Sequence, residues 1–163
     1  MSQKKKNRTY TDDTDKFAQE FQKQIMEQIR KRYSETVIDH WQNPRNFRKL
    51  EDPDGYASVK GPCGDTMEMF IKMDKDRITE CGFQTDGCGT TIVCGSVATT
   101  LAQDKTFIEA LAGVSADVIL KRLEGLPASD VHCAELAAET LRRALADHLY
   151  QKKNPWKKSY KRS

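Results

Sequence analysis

The sequence predicts an α+β domain: a three-stranded antiparallel sheet with helices packed on one face, preceded by a long N-terminal helix. Three observations predict it. Strand-like alternation is confined to residues 56–85, helical periodicity takes over from residue 89, and a separate apolar stripe recurs every fourth residue from Phe17 to Trp41. At 163 residues the chain is one domain's worth, long enough to bury a core without staples.

Residues 1–14 are polar and basic and predict a disordered N-terminus. Thr14 is the N-cap expected for the first helix, whose stripe is Phe17, Phe21, Ile25, Ile29, Tyr33, Val37 and Trp41. Asn43-Pro44 ends it, because a residue before proline disfavours the helical region. Residues 15–32 of this helix form an extension ahead of a domain spanning 33–150, with a basic tail at 151–163.

Tyr56 to Lys60 predicts a weak first strand. Thr66 to Met73 alternates Met67, Met69, Ile71 and Met73 with Glu68 and Lys72, a half-buried second strand. Asp74-Lys75-Asp76 turns the chain into a third strand, Arg77 to Thr85, with Cys81 and Phe83 on one face. Short links between consecutive strands predict an antiparallel meander. A helix of small and apolar residues follows over 89–103. Thr106 and Ser115 cap two short helices that end at Gly113 and near Leu123, and a last helix from Ser129 or Asp130 buries Leu136, Leu141, Leu145 and Leu149.

Charge narrows the function. Residues 1–32 carry nine Lys/Arg against five Asp/Glu, and residues 150–163 carry six basic and no acidic residues, so the net +3 conceals an acidic body. Basic ends on an acidic body are not the footprint of a nucleic-acid-binding domain, and no nucleic-acid partner is expected. No apolar run approaches a membrane span and no signal core opens the chain, so a soluble cytoplasmic protein is expected.

Five cysteines, at 63, 81, 88, 94 and 133, are too few and too scattered for a disulfide framework and point to free thiols or ligands. Cys63 lies in Gly61-Pro62-Cys63-Gly64-Asp65, a turn entering the second strand. Cys88 lies in Gly87-Cys88-Gly89, between the third strand and a helix, and Cys133 follows His132 in the first turn of the last helix. Two of the three thus sit at helix N-termini, where dipole and free N–H groups favour the thiolate. Three thiolates with Asp65 and His132 as harder neighbours form a donor set for iron-sulfur clusters, zinc or copper(I). Cys81 and Cys94 read as buried small hydrophobes, Met67, Met69 and Met73 as core filler, and His40 and His148 as surface or helix-flank residues.

These motifs resemble the IscU family, equivalent to the N-terminal domain of NifU. Tyr33-Ser34-Glu35 with Val37-Ile38-Asp39-His40, running into Asn43-Pro44-Arg45-Asn46, is similar to the start of that domain. Cys63-Gly64-Asp65, Gly87-Cys88-Gly89 and His132-Cys133 match its cysteine motifs in order, and the resemblance covers about residues 33–150. It implies a SufE/NifU-like fold and a scaffold, not an enzyme, that takes sulfur from a cysteine desulfurase and iron (Fe2+), builds a [2Fe–2S] cluster and passes it to apo-proteins. By the same resemblance Cys63, Cys88 and Cys133 are the cluster cysteines, and Asp65 keeps the cluster labile. His132 can ligate metal, and Cys133 accepts the persulfide, a role for which its helix-start position gives a second reason. Zn2+ would fit the same donors in isolated protein.

Four departures qualify the match. Leu126-Pro127-Ala128-Ser129-Asp130 replaces the family's Leu-Pro-Pro-Val-Lys, which argues against a dedicated Hsp70-type chaperone. The spacing from Cys88 to Cys133 lacks the insertion of the SufU branch, which argues against a zinc-dependent sulfurtransferase. An extension precedes Tyr33, which puts in question a homodimer built on a free terminal tyrosine. Cys94 stands where relatives often have serine.

Overall fold

The computed structural model describes residues 7–158. Element order is α1 (Asn7–Arg32), α2 (Glu35–Gln42), β1 (Gly55–Lys60), β2 (Thr66–Asp74), β3 (Arg77–Thr85), α3 (Gly89–Ala102), α4 (Phe107–Gly113), α5 (Ala116–Arg122), α6 (Val131–Lys153) and α7 (Pro155–Lys158). A 3-10 turn over Ala128–Asp130 leads into α6. The sheet is the expected meander, order β1-β2-β3, both pairs antiparallel.

Pairing of Ala57 with Met69, and of Met69 with Phe83, puts these side chains on one face, because residues directly opposite across a ladder share a face. That face meets Val93, Val97 and Ala98 of α3 and Ala137, Leu141 and Leu145 of α6, all buried in one continuous core. Each fully buried Leu or Ile there contributes about 1.5–3 kcal/mol relative to an exposed one. The β3 edge is covered: Phe83 N–H donates to the Asn46 carbonyl at 2.9 Å, and Ile78 N–H to the Lys105 carbonyl at 2.9 Å. Neither segment leaves a template for another strand there.

Thr106 and Ser115 cap α4 and α5 as expected, Thr106 in a full capping box with Glu109. Three boundaries differ. The first helix begins at Asn7, so residues 7–14 of the segment expected to be disordered are helical, and residues 1–6 lie outside the described residues. Once a helix is nucleated, a polar run without Pro or Gly extends it at little cost. The last helix continues to Lys153, into the segment read as tail.

The first helix also breaks at Ser34 instead of running on to Gln42. Ser34 is extended (φ −66, ψ 160) and accepts from Val37 N–H at 3.2 Å, while its hydroxyl donates to the Leu123 carbonyl at 2.7 Å. A cap pinned by tertiary structure outweighs the continuity of the stripe.

His40 is also not a surface residue. It is buried, with Nδ1 2.8 Å from Ser96 Oγ, and the same hydroxyl accepts from Arg45 N–H at 2.8 Å. Burial, then the nearby Arg45 charge, holds the ring below its ordinary value of 6.5. A depressed histidine means that the unfolded chain binds the proton more readily. This contribution to stability is full above pH 6.5 and is lost as pH falls from there toward the lowered value. Carboxylates held below their ordinary values, such as Glu109 (ordinary value 4.5), act only further down. Denaturant unfolding between pH 6.5 and 4.5 should thus show stability falling with pH, and His40→Gln should flatten that slope. An unchanged slope would remove His40 as its source.

Candidate functional site

At one end of the sheet three parts of the chain converge: the turn before β2, the start of α3 and the start of α6. Gly64, at φ +93, makes the first turn, a left-handed conformation that side chains rarely adopt. Gly61 N–H donates to the Asp65 carbonyl at 2.7 Å and closes the loop that carries Cys63. At Gly87 a Cβ would lie 2.6 Å from Asp65 Oδ2, so only glycine admits the carboxylate there.

Thr91 occupies the centre, fully buried. Its hydroxyl donates to Asp65 Oδ2 at 3.0 Å and lies 3.6 Å from Cys88 Sγ and 3.5 Å from Cys133 Sγ. His132 Nε2 is 3.6 Å from Cys133 Sγ. The structure thus brings Asp65, Cys88, Cys133 and His132 together. Cys63 is exposed on its turn, near enough for its charge to act on Cys133. Among the described residues no three His, Cys, Asp or Glu side chains are close enough to hold a metal ion. The five predicted ligands are therefore neighbours round one opening, not an assembled coordination sphere. Their chemistry, three thiols with one carboxylate and one imidazole, fits soft or borderline metal.

The thiols differ. At Cys88, which is exposed, burial acts to raise the pKa but is outweighed by the Thr91 hydroxyl and the N–H groups of Thr91 and Thr90. The thiol therefore titrates below its ordinary value. Cys133 is 1% exposed, and burial pushes it up to about 11 against the pull of Thr91, with the charges of Cys88 and Cys63 adding. The expectation that a helix start favours the thiolate holds at Cys88 and fails at Cys133, the third residue of α6, whose side chain packs into the core. Cys81, pushed by burial to about 12, and Cys94, likewise raised, are the buried hydrophobes expected.

Sequence reading missed Thr91, which it absorbed into a helix of small residues. The available signal was its place three residues after Cys88, where an N-terminal side chain looks back at the cap. Tyr33 was matched only as part of a motif. Its hydroxyl donates to Asp130 Oδ2 at 2.9 Å and ties the α1–α2 elbow to the turn ahead of His132 and Cys133. Tyr33, Val37 and Trp41 line a cleft of about 360 Å³ that opens beside Cys88.

The model of the NifU-like N-terminal domain family matches residues 32–155. The chain is 47% identical over 117 residues to iron-sulfur cluster assembly scaffold protein IscU 1 of Archaeoglobus fulgidus, covering 71% of this chain and 76% of that one. It is 40% identical over 121 residues to the IscU scaffold protein of Escherichia coli strain K12, covering 71% and 93%. In three dimensions it is similar to the N-terminal part of a NifU-like protein from Brucella abortus, with TM-score 0.55 and 18% identity, covering 72% of this chain and 94% of that one. At that identity the likeness is one of fold.

Two outcomes are expected from the site's hydrogen bonding. In alkylation followed by mass spectrometry, Cys88 should react at lower pH than Cys133. In Thr91→Val, which removes the hydroxyl, the Cys88 profile should shift to higher pH, and folding should lose on the order of 1 kcal/mol for the lost bond to Asp65. A Cys88 profile that does not move would show that Thr91 does not tune it.

Proposed function

The chain belongs to the family of NifU-like N-terminal domains, and on that premise we propose that it is an iron-sulfur cluster assembly scaffold, a carrier with no turnover of its own. The observation that carries this reading is the convergence of Asp65, Cys88 and Cys133 on Thr91, with His132 against Cys133 and Cys63 on the facing turn. Cluster and iron are cargo. Cys63, Cys88 and Cys133 supply thiolates, and Asp65 or His132 supplies the fourth, weaker ligand of a [2Fe–2S] cluster. A site whose ligands are neighbours but not locked suits transient holding better than a closed four-cysteine cage.

Sulfur arrives as the outer atom of a persulfide on a cysteine desulfurase. A scaffold thiolate attacks that atom, the donor's S–S bond breaks, the donor keeps the electron pair as its thiolate, and the scaffold cysteine becomes a persulfide. Two such zero-valent sulfurs and two ferrous ions require two electrons from an external donor to give a [2Fe–2S]2+ cluster. Transfer to an apo-protein then exchanges the ligands one by one, with Asp65 the easiest to displace.

Resemblance gives the acceptor role to Cys133. Its burial and raised thiol require the seam between α3 and α6 to open before attack, whereas Cys88 is exposed and already inclined to the thiolate. Trypsin mapping of the persulfide after incubation with desulfurase and cysteine separates the two. Sulfur on Cys133 supports that assignment, and sulfur on Cys88 alone reassigns the acceptor.

Anaerobic reconstitution with ferrous iron, cysteine and desulfurase should give [2Fe–2S] absorption and Mössbauer spectra, lost on replacing Cys63, Cys88 or Cys133 by Ser. Asp65→Ala should lengthen the cluster's lifetime. A colourless protein that keeps stoichiometric zinc and speeds the desulfurase would replace the scaffold reading with sulfur transfer.

A further inference from the structure

Helix α1 carries an apolar row that its own chain does not cover. Phe17, Phe21 and Ile25 are 74%, 57% and 43% exposed, and the two phenyl rings stack with centroids 6.4 Å apart. Ile29 continues the row to Tyr33, where it meets the cleft beside Cys88. Helical periodicity sets Ala18, Gln22 and Met26 on one flank of the row and Glu20, Gln24 and Gln28 on the other, and turns Asp15, Lys23 and Lys31 to the opposite face. Glu20 is thus the one charged residue on the borders of the row in its central two turns.

The row is complementary to itself in one orientation. It is centred on Lys23, so reversing a second helix about that point sets Phe17 against Ile29 and Phe21 against Ile25, a large ring beside a smaller side chain at every level. A parallel pair would stack phenyl on phenyl and leave Ile against Ile. Charge agrees with the reversed pairing. The first part of the helix carries Asp12, Asp13, Asp15 and Glu20 against Arg8 and Lys16, a net −2, and the second carries Lys23, Arg30, Lys31 and Arg32 against Glu27, a net +3. Antiparallel copies place the acidic start of each along the basic end of the other and oppose the helix dipoles, whereas parallel copies place like charges together.

We propose that α1 pairs antiparallel with α1 of a second copy of this chain, Phe17 and Phe21 of each packing on Ile29 and Ile25 of the other. The inference is independent of the scaffold reading. It also fixes where the two sites lie. Tyr33 is ten residues from the pairing centre, about 15 Å along a helix rising 1.5 Å per residue, so the two clefts stand at opposite ends of the pair, about 30 Å apart.

Sedimentation equilibrium of the full chain should give a particle of twice 18.6 kDa that dissociates on dilution. Phe21→Glu should shift it to monomer. Because Phe21 is a surface residue, this variant's thermal unfolding should match that of the parent diluted to its monomer, which separates lost pairing from lost folding. Orientation is read from a sample mixing differently labelled copies. An intermolecular nuclear Overhauser effect between the Phe17 ring and the Ile29 methyls cannot arise within one helix, where the two are about 18 Å apart. That cross-peak is expected. A chain monomeric at all concentrations, a Phe21→Glu variant that still dimerises, or a Phe17–Phe17 contact in place of Phe17–Ile29 would each overturn the proposal.

Discussion

Thr91 has one hydroxyl proton and three polar neighbours drawn from three parts of the chain: Asp65 before β2, Cys88 at the head of α3 and Cys133 in α6. With no exposure to water, that hydroxyl must be satisfied by protein groups, because an unpaired buried donor costs about 1–3 kcal/mol. It donates to the carboxylate and lies within hydrogen-bond reach of both sulfurs, so it is the donor at hand when a thiol ionises. The turn, the helix start and the last helix are therefore held in register at the one place where their cysteines and the aspartate must meet. Glycine at 87 is the other half of this arrangement, since any side chain there would displace the carboxylate from the threonine.

The same core that fixes the site sorts the cysteines. Helix α3 is buried on nearly every side, against β3, α6 and α2, and is built of small residues that let Phe83 pack against Gly95. A thiol carried into that layer behaves as a small apolar group and resists ionisation, as Cys81 and Cys94 do. Only the ends of elements escape. Cys88 caps α3 and faces solvent, and Cys63 sits on a turn. Cys133 is the intermediate case, close to the opening but on the inner face of α6. Its position relative to the core, more than its position in the helix, sets its acidity.

That distinction also explains what the sequence could reveal. Alternation at Met67, Met69 and Ile71, and the side-chain caps Thr106 and Ser115, are local signals, and each predicted its element to within a residue or two. The cysteine motifs are local as well, and the structure sets Asp65, Cys88 and Cys133 round Thr91 with His132 against Cys133, while Cys63 stays exposed on its turn. What was missed depends on distant partners. Ser34 breaks the first helix through Leu123, 89 residues away, and His40 is neutral and buried through Ser96, 56 residues away. Cys133 was assigned an easy thiolate from its helix alone, when the deciding contribution is the core packed round it.

The pairing inferred for α1 bears on how a cluster is held. Two clefts about 30 Å apart cannot share one [2Fe–2S] unit across that contact, so under the proposed pairing and cluster each chain supplies all four terminal ligands itself. In the proposed ligand set Cys63, Cys88 and Cys133 provide three, with Asp65 or His132 for the fourth. Asp65 already has the Thr91 hydroxyl and His132 already has the Cys133 sulfur. Either must give up that contact to bind iron, and so either is the natural first ligand to leave. A scaffold that releases its cargo needs such a ligand, and in this fold the partner that takes the freed carboxylate back is already in place.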